Sequence, residues 1–119
     1  MSRAILLVDH GSRRDDANAI LSLVATAVRE HTGSPVEIAH LELVPPDIAE
    51  GIDSCVRAGA TEIVVHPYFL GPGMHTSRDI PAQLEAARGR HPGVSIRLTE
   101  PLGFHPGIVD VVLERLGDR

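Results

Sequence analysis

The stretch Arg3-Ala4-Ile5-Leu6-Leu7-Val8-Asp9-His10-Gly11-Ser12-Arg13 decides the fold. Ala4 to Val8 is apolar without interruption, then gives way at once to a carboxylate, an imidazole and a glycine. A run apolar on both faces is the pattern of a central parallel strand covered by helices above and below. Three further short runs, Val36 to Leu41, Glu62 to Val65 and Val94 to Leu98, repeat the pattern at intervals that leave room for a helix between each. The intervening segments carry helical periods. Ile20, Leu21, Val24, Ala27 and Val28 mark the first, Ile48, Ile52, Cys55 and Val56 the second, Ile80, Leu84 and Ala87 the third, and Ile108, Val111, Val112 and Leu116 the fourth. Asp47 with Glu50 reads as a capping box, Gly59 as a left-handed stop, and Asp79 with Pro81 as the opening of the third helix. The order βαβαβαβα with right-handed crossovers predicts an α/β fold. It has one doubly wound domain over residues 1–119, a four-stranded parallel sheet in the flavodoxin-like order 2-1-3-4, and helices on both faces.

Composition removes several classes of function. With 119 residues, 43% hydrophobic and 23% charged, the chain has the size and make-up of one globular domain, and no apolar run approaches a membrane span. Ala4 to Val8 is too short, and too soon followed by Asp9 and His10, to be a secretory signal, so a cytoplasmic location is expected. The 11 basic residues are all arginine and face 16 acidic ones, a net charge of -5 that argues against a nucleic-acid partner. Without lysine there is no Schiff-base or P-loop chemistry, and Asp9 cannot be a phosphoacceptor of the response-regulator kind. The single cysteine, Cys55, lies on the apolar stripe of the second helix and reads as a core residue.

In an open α/β sheet, ligands bind beyond the carboxyl ends of the strands. The residues following the four runs gather His10, Glu42, His66, His75, Glu100 and His105 at that edge. Neutral imidazole suits iron, cobalt, nickel and zinc, and a carboxylate nearby can complete a site or take a proton. Glu42 follows a buried strand, where an unpaired carboxylate is costly, so it either pairs or works. His66 precedes a proline and suits a role in holding the next loop. His40 lies inside the second strand and reads as structural, and His31 and His91 are assigned no function. Ser12 lacks the nucleophile-elbow glycine, and Gly11 starts no dinucleotide fingerprint. The chemistry left is metal binding and proton transfer.

Several of these segments together resemble one family. They are Asp9-His10-Gly11-Ser12-Arg13, Leu41-Glu42-Leu43 through Pro46-Asp47-Ile48, Val65-His66-Pro67-Tyr68-Phe69-Leu70, Pro72-Gly73-Met74-His75, and Asp79-Ile80-Pro81. In this order over nearly the whole chain, they resemble the short CbiX/SirB-type sirohydrochlorin chelatases. The resemblance implies a class II chelatase that inserts Co2+, Ni2+ or Fe2+ into sirohydrochlorin or a relative, for cobalamin, sirohaem or related cofactors, with no organic cofactor. By position, His10 and His75 match the family's metal-handling histidines and Glu42 its acidic residue, while His66 matches the motif without a role. Longer members hold two such domains, so a homodimer is the expected substitute.

Insertion must strip water from the ion and remove two protons from pyrrole nitrogens, tasks open to imidazoles titrating near pH 6.5. Arg13, Arg14 and Arg78 lie in the loops concerned and can meet the substrate's carboxylates. Three other functions use the same residues. A carrier of metal or tetrapyrrole would bind without turnover, a metal-dependent hydrolase would need three firm ligands, and a subunit of a larger chelatase would form a stable hetero-complex.

Overall fold

The computed structural model describes residues 2–73 and 78–118. Its elements alternate as β1(Arg3–Asp9), α1(Asp15–Thr32), β2(Val36–His40), α2(Ile48–Arg57), β3(Glu62–Pro67), α3(Ile80–Arg90), β4(Ser95–Leu98) and α4(Pro106–Leu116). The four strands form one parallel sheet in the order β2-β1-β3-β4, as the sequence pattern predicts. Element ends move by one or two residues from the expected ones, the usual uncertainty of such boundaries. One such shift matters: β3 runs on through His66, which pairs with Leu7, so His66 lies inside the strand and not after it.

Alternation along β1 explains why its whole run is apolar. Ala4, Leu6 and Val8 face one side, where they pack with Ile63, Val65 and Ile96 against Ile48, Ile52 and Cys55 of α2 and Ile80, Leu84 and Ala87 of α3. Ile5 and Leu7 face the other side and pack with Val36 against Leu21 and Ala25 of α1. Each fully buried leucine or isoleucine here contributes roughly 1.5–3 kcal/mol. Cys55 belongs to the larger core, where burial pushes its thiol up to about 12 and leaves it inert.

Local signals set the helix ends. Asp47 accepts from the Glu50 amide and Glu50 Oε1 from the Asp47 amide, both at 2.8 Å, which completes the expected capping box. Gly59, just past α2, has φ 93° and ends the helix as expected. Asp79 departs from its expected role: it is itself helical, at φ -70° and ψ -45°, and its side chain makes no cap hydrogen bond. A cap needs extended backbone to turn its side chain onto the following amides, and Asp79 lacks that conformation.

The fourth helix is the main departure. Its apolar residues have the period of a core-facing helix, yet none of α4 is buried, and Val109, Val111, Val112 and Leu116 are exposed. The sheet is covered by α2 and α3 on one face and by α1 on the other. Among the described residues, no helix is long and apolar enough to cross a membrane.

At the amino-terminal edge, His91 Nε2 lies 2.8 Å from Asp53 Oδ1, with Arg90 at 3.7 Å, tying the end of α3 to α2. The His91 hydrogen bond, then the charges of Arg90, His91 and Arg57, hold the Asp53 carboxyl below the usual carboxylate range. The contribution to stability is therefore present above the unfolded pKa, near 4, and is lost as pH falls through the lower folded value. Asp53 is 42% exposed, so solvent keeps this contribution below about 1 kcal/mol. Asp53→Asn should lower the urea midpoint slightly at pH 7 and by progressively less as pH falls below the usual carboxylate range; a loss that does not change with pH would contradict the ionic origin.

Candidate functional site

The site forms where β1 and β2 end side by side. Beyond the ladder the two chains stay paired: the Leu41 amide donates to Asp9 O at 2.9 Å and the Glu42 amide to His10 O at 3.1 Å. This register brings the next side chains together, so that His10 Nε2 stands 2.9 Å from Glu42 Oε1. Both groups are open to solvent, 46% and 51% exposed. The expectation that Glu42 occupies a buried setting is thus corrected: β2 ends at His40, and the carboxylate two residues on has turned out to the edge. The alternative that it must pair or work is met by pairing with His10. His10 Nδ1 lies 3.3 Å from the Gly11 carbonyl, so both ring nitrogens face oxygen.

Gly11 makes the approach possible. At φ 93°, an added Cβ would stand 2.0 Å from the Glu42 carbonyl oxygen and 3.3 Å from His40 Cβ. The same carbonyl accepts from the Val44 amide at 3.0 Å across Leu43, whose φ of 77° makes this a γ-turn of the rare, strained hand. On the other side, Asn18 in α1 clamps the loop, accepting from the Ser12 amide at 2.9 Å and donating to Ser12 O at 2.7 Å. A cavity of about 280 Å³ adjoins Glu42, lined by Glu42 to Pro45, by His40, and by Asp47 and Glu50.

The other expected site residues divide. His75 lies outside the described residues, so its relation to His10 is not part of this geometry. Arg13 and Arg78 are exposed at the edge. Arg14 is exposed too, but its guanidinium forks onto Asp16 at 2.9 and 2.8 Å. His66 donates from or accepts at Nδ1 with Thr99 Oγ1, 2.9 Å away, and its ring meets Tyr68 edge-on at 6.5 Å. Burial pushes its imidazole below the usual histidine range, with the Glu100 backbone partly opposing, so the ring is neutral at pH 7. His105 serves structure: it caps α4, its Nδ1 accepting from the Gly107 amide at 2.8 Å. Glu100 is exposed on the loop after β4. Among the described residues, no three His, Cys, Asp or Glu side chains come together as a metal site.

Reading by sequence missed the supports. Asn18 has no signal, being an ordinary polar residue in a helix. Gly11 starts no dinucleotide fingerprint, and its contact with Glu42 is set by tertiary register. His40 lies inside β2 as expected and is buried at 3%, but its partner, Asp9 Oδ1 at 2.5 Å, has no signal in the sequence.

Comparison with known proteins identifies relatives of the whole chain. The CbiX family model matches residues 4–119. The chloroplastic sirohydrochlorin ferrochelatase of Arabidopsis thaliana is 43% identical over 113 residues, which are 94% of this chain and 50% of that protein. The sirohydrochlorin chelatase SirB from Bacillus subtilis subspecies spizizenii, solved in complex with cobalt, superposes with a TM-score of 0.91 at 36% identity, covering 99% of this chain and 51% of SirB. The CbiX protein from Marinobacter aquaeolei VT8 superposes with a TM-score of 0.80 at 32% identity, covering 98% of this chain and 99% of that one. The chain therefore spans about half the length of the first two and nearly all of the third.

Proposed function

The chain belongs to the CbiX family, and on that premise we propose that it inserts Co2+, Ni2+ or Fe2+ into sirohydrochlorin or a related tetrapyrrole. In this reading residues 1–119 form one catalytic unit, working in the cytoplasm without an organic cofactor. The observation that carries it is the pairing of His10 Nε2 with Glu42 Oε1 at 2.9 Å on an open edge. His10 thus presents Nε2 to the carboxylate and Nδ1 to a backbone carbonyl. A divalent ion arriving at Nε2 takes the place of Glu42 as its partner, any proton between them passing to solvent. His10 then holds the ion, with His75 as the second imidazole on the strength of the motif. Glu42, released from its partner, accepts a proton leaving a pyrrole nitrogen and passes it to solvent before the second leaves. Two imidazoles hold an ion less firmly than a closed four-ligand site, as a protein that must pass the metal on requires.

The rim of the site suits a flat, carboxylate-edged substrate. Leu43, Leu70 and Phe104 are 55%, 68% and 87% exposed on the loops after β2, β3 and β4. Three strand spacings separate the outer two loops, about 15 Å, a span that a tetrapyrrole with its substituents can cover. Arg13 and Arg78 are available to its carboxylates. Arg14 would have to leave Asp16 and so contributes least. This rim also separates the chelatase reading from a hydrolase, which has no use for an apolar platform.

The test is an anaerobic absorbance time course with sirohydrochlorin and each of Co2+, Ni2+ and Fe2+, against a control without protein. Accelerated metallation is expected. A spectral shift on binding without any gain in rate would replace this reading with that of a carrier.

The functional assembly is read as a homodimer. Its support is α4, whose Val109, Val111, Val112 and Leu116 are left exposed among the described residues, together with Ile20 and Leu23 exposed on α1. Exposed aliphatic residues gathered on helices mark protein contacts. Light scattering should therefore give twice the chain mass for the wild type and the single mass for Val112→Asp. A wild type that is monomeric at the concentrations used for turnover would sink the dimer.

A further inference from the structure

We propose that Asp9 and His40 are positioning residues that hold the His10–Glu42 pair in its working geometry. The inference rests on the reading of His10 and Glu42 as the groups that handle metal and protons. Among the described residues, His40 is the one polar side chain in the buried class, at 3% exposure. An imidazole in such a place is costly unless it is hydrogen-bonded, and an apolar ring would fill the same volume without that cost. Its Nδ1 is bonded to Asp9 Oδ1, which is itself mostly covered.

The location of the pair explains the use. Asp9 and His40 are register partners across the last rung of β1 and β2. Asp9 directly precedes His10, and His40, the last residue of β2, stands two residues before Glu42. Beyond this rung, the two chains are joined by the amides of Leu41 and Glu42. The Asp9–His40 bond closes the rung from the side. His40 also backs the Gly11 turn and lines the cavity beside Glu42. Without the bond, the two strand ends can slide or splay, and the separation of His10 from Glu42 is no longer fixed. An error of about 1 Å in such a pair can cost up to a hundredfold in rate while leaving remote substrate contacts untouched.

The test uses the full chain, steady-state metallation of sirohydrochlorin with Co2+, and circular dichroism of every variant. His40→Phe keeps the ring volume and removes the hydrogen bond. His40→Asn keeps an N–H donor near the Nδ1 position. Asp9→Ala removes the other partner and decides the matter by the same criteria where His40→Phe does not fold. The expected result is a kcat lower by about ten- to a hundredfold in His40→Phe and Asp9→Ala, with KM for sirohydrochlorin within about twofold of wild type. His40→Asn should recover kcat to within about threefold of wild type. A merely structural role would lower stability without this split or this rescue. Folded His40→Phe with wild-type kcat overturns the proposal, as does a change confined to KM or a loss that asparagine does not restore. His10→Ala, measured alongside, separates the two readings. If it retains wild-type turnover, the assignment of the site fails; if it is inactive while His40→Phe is not, the positioning role alone fails.

Discussion

Gly11→Ala is expected to destabilise the fold by about 3 kcal/mol or more and to remove most activity from whatever remains folded. Two independent effects add. At φ 93° a side chain of L configuration meets its own backbone, which costs about 1–2 kcal/mol. The new Cβ would also lie 2.0 Å from the Glu42 carbonyl oxygen and 3.2 Å from its carbon, and these are backbone atoms that cannot rotate away. Relief requires moving either the β1–α1 turn or the loop after β2. The turn is held by Asn18 at both the amide and carbonyl of Ser12. The loop is held by the Glu42 amide on His10 O and by the Val44 amide on Glu42 O. Whichever gives way, His10 and Glu42 part. Urea unfolding should show the midpoint falling at unchanged slope, and metallation should fall in the residual folded protein. An unfolding free energy within about 0.5 kcal/mol of wild type would contradict the close approach of Gly11 to Glu42.

That prediction rests on tertiary register, and there the limit of reading the chain as a sequence becomes visible. The sheet and its order follow from short-range signals: apolar runs of strand length, helical periods between them and a capping box at Asp47. Each is decided within a few neighbours, so the chain states it openly. Which residues join at the sheet edge depends instead on how far each strand runs before its neighbour. The composition of the edge, with His10 and Glu42 on adjacent strands, was legible because the strand order was. The contact of Glu42 with His10 was not, since shifting β2 by one residue would turn Glu42 to the opposite face. For the same reason Asp9 and His40 looked unrelated, 31 residues apart. His105 was left open by its place at the edge, and the free amides at the start of α4 claim its ring. The stripe of α4 misled in another way: helical period states that a face is to be covered, and says nothing of which surface covers it.

His10→Ala is expected to lower kcat/KM for metal insertion by at least about a hundredfold, with the fold retained. Retention follows from the surroundings. The ring is nearly half exposed, the residue lies past the end of β1, and its backbone carbonyl, which an alanine also supplies, is what binds the Glu42 amide. Function should suffer because, in the proposed reading, this imidazole holds the metal beside the Glu42 carboxylate. His66 is fixed to Thr99 and half-buried, and His105 is fixed to its cap. Neither can move into its place without breaking those bonds. Glu42→Gln gives the complementary result. The amide keeps the size of the side chain and a hydrogen bond to His10, but cannot accept a pyrrole proton. Insertion should therefore slow by roughly ten- to a hundredfold while the affinity for sirohydrochlorin, read by its absorbance shift, stays within about twofold. Equal loss of rate and affinity in Glu42→Gln would make Glu42 a binding group. Wild-type turnover in a folded His10→Ala protein would remove the metal from this edge altogether, because the pairing of imidazole and carboxylate is the feature on which the site is built.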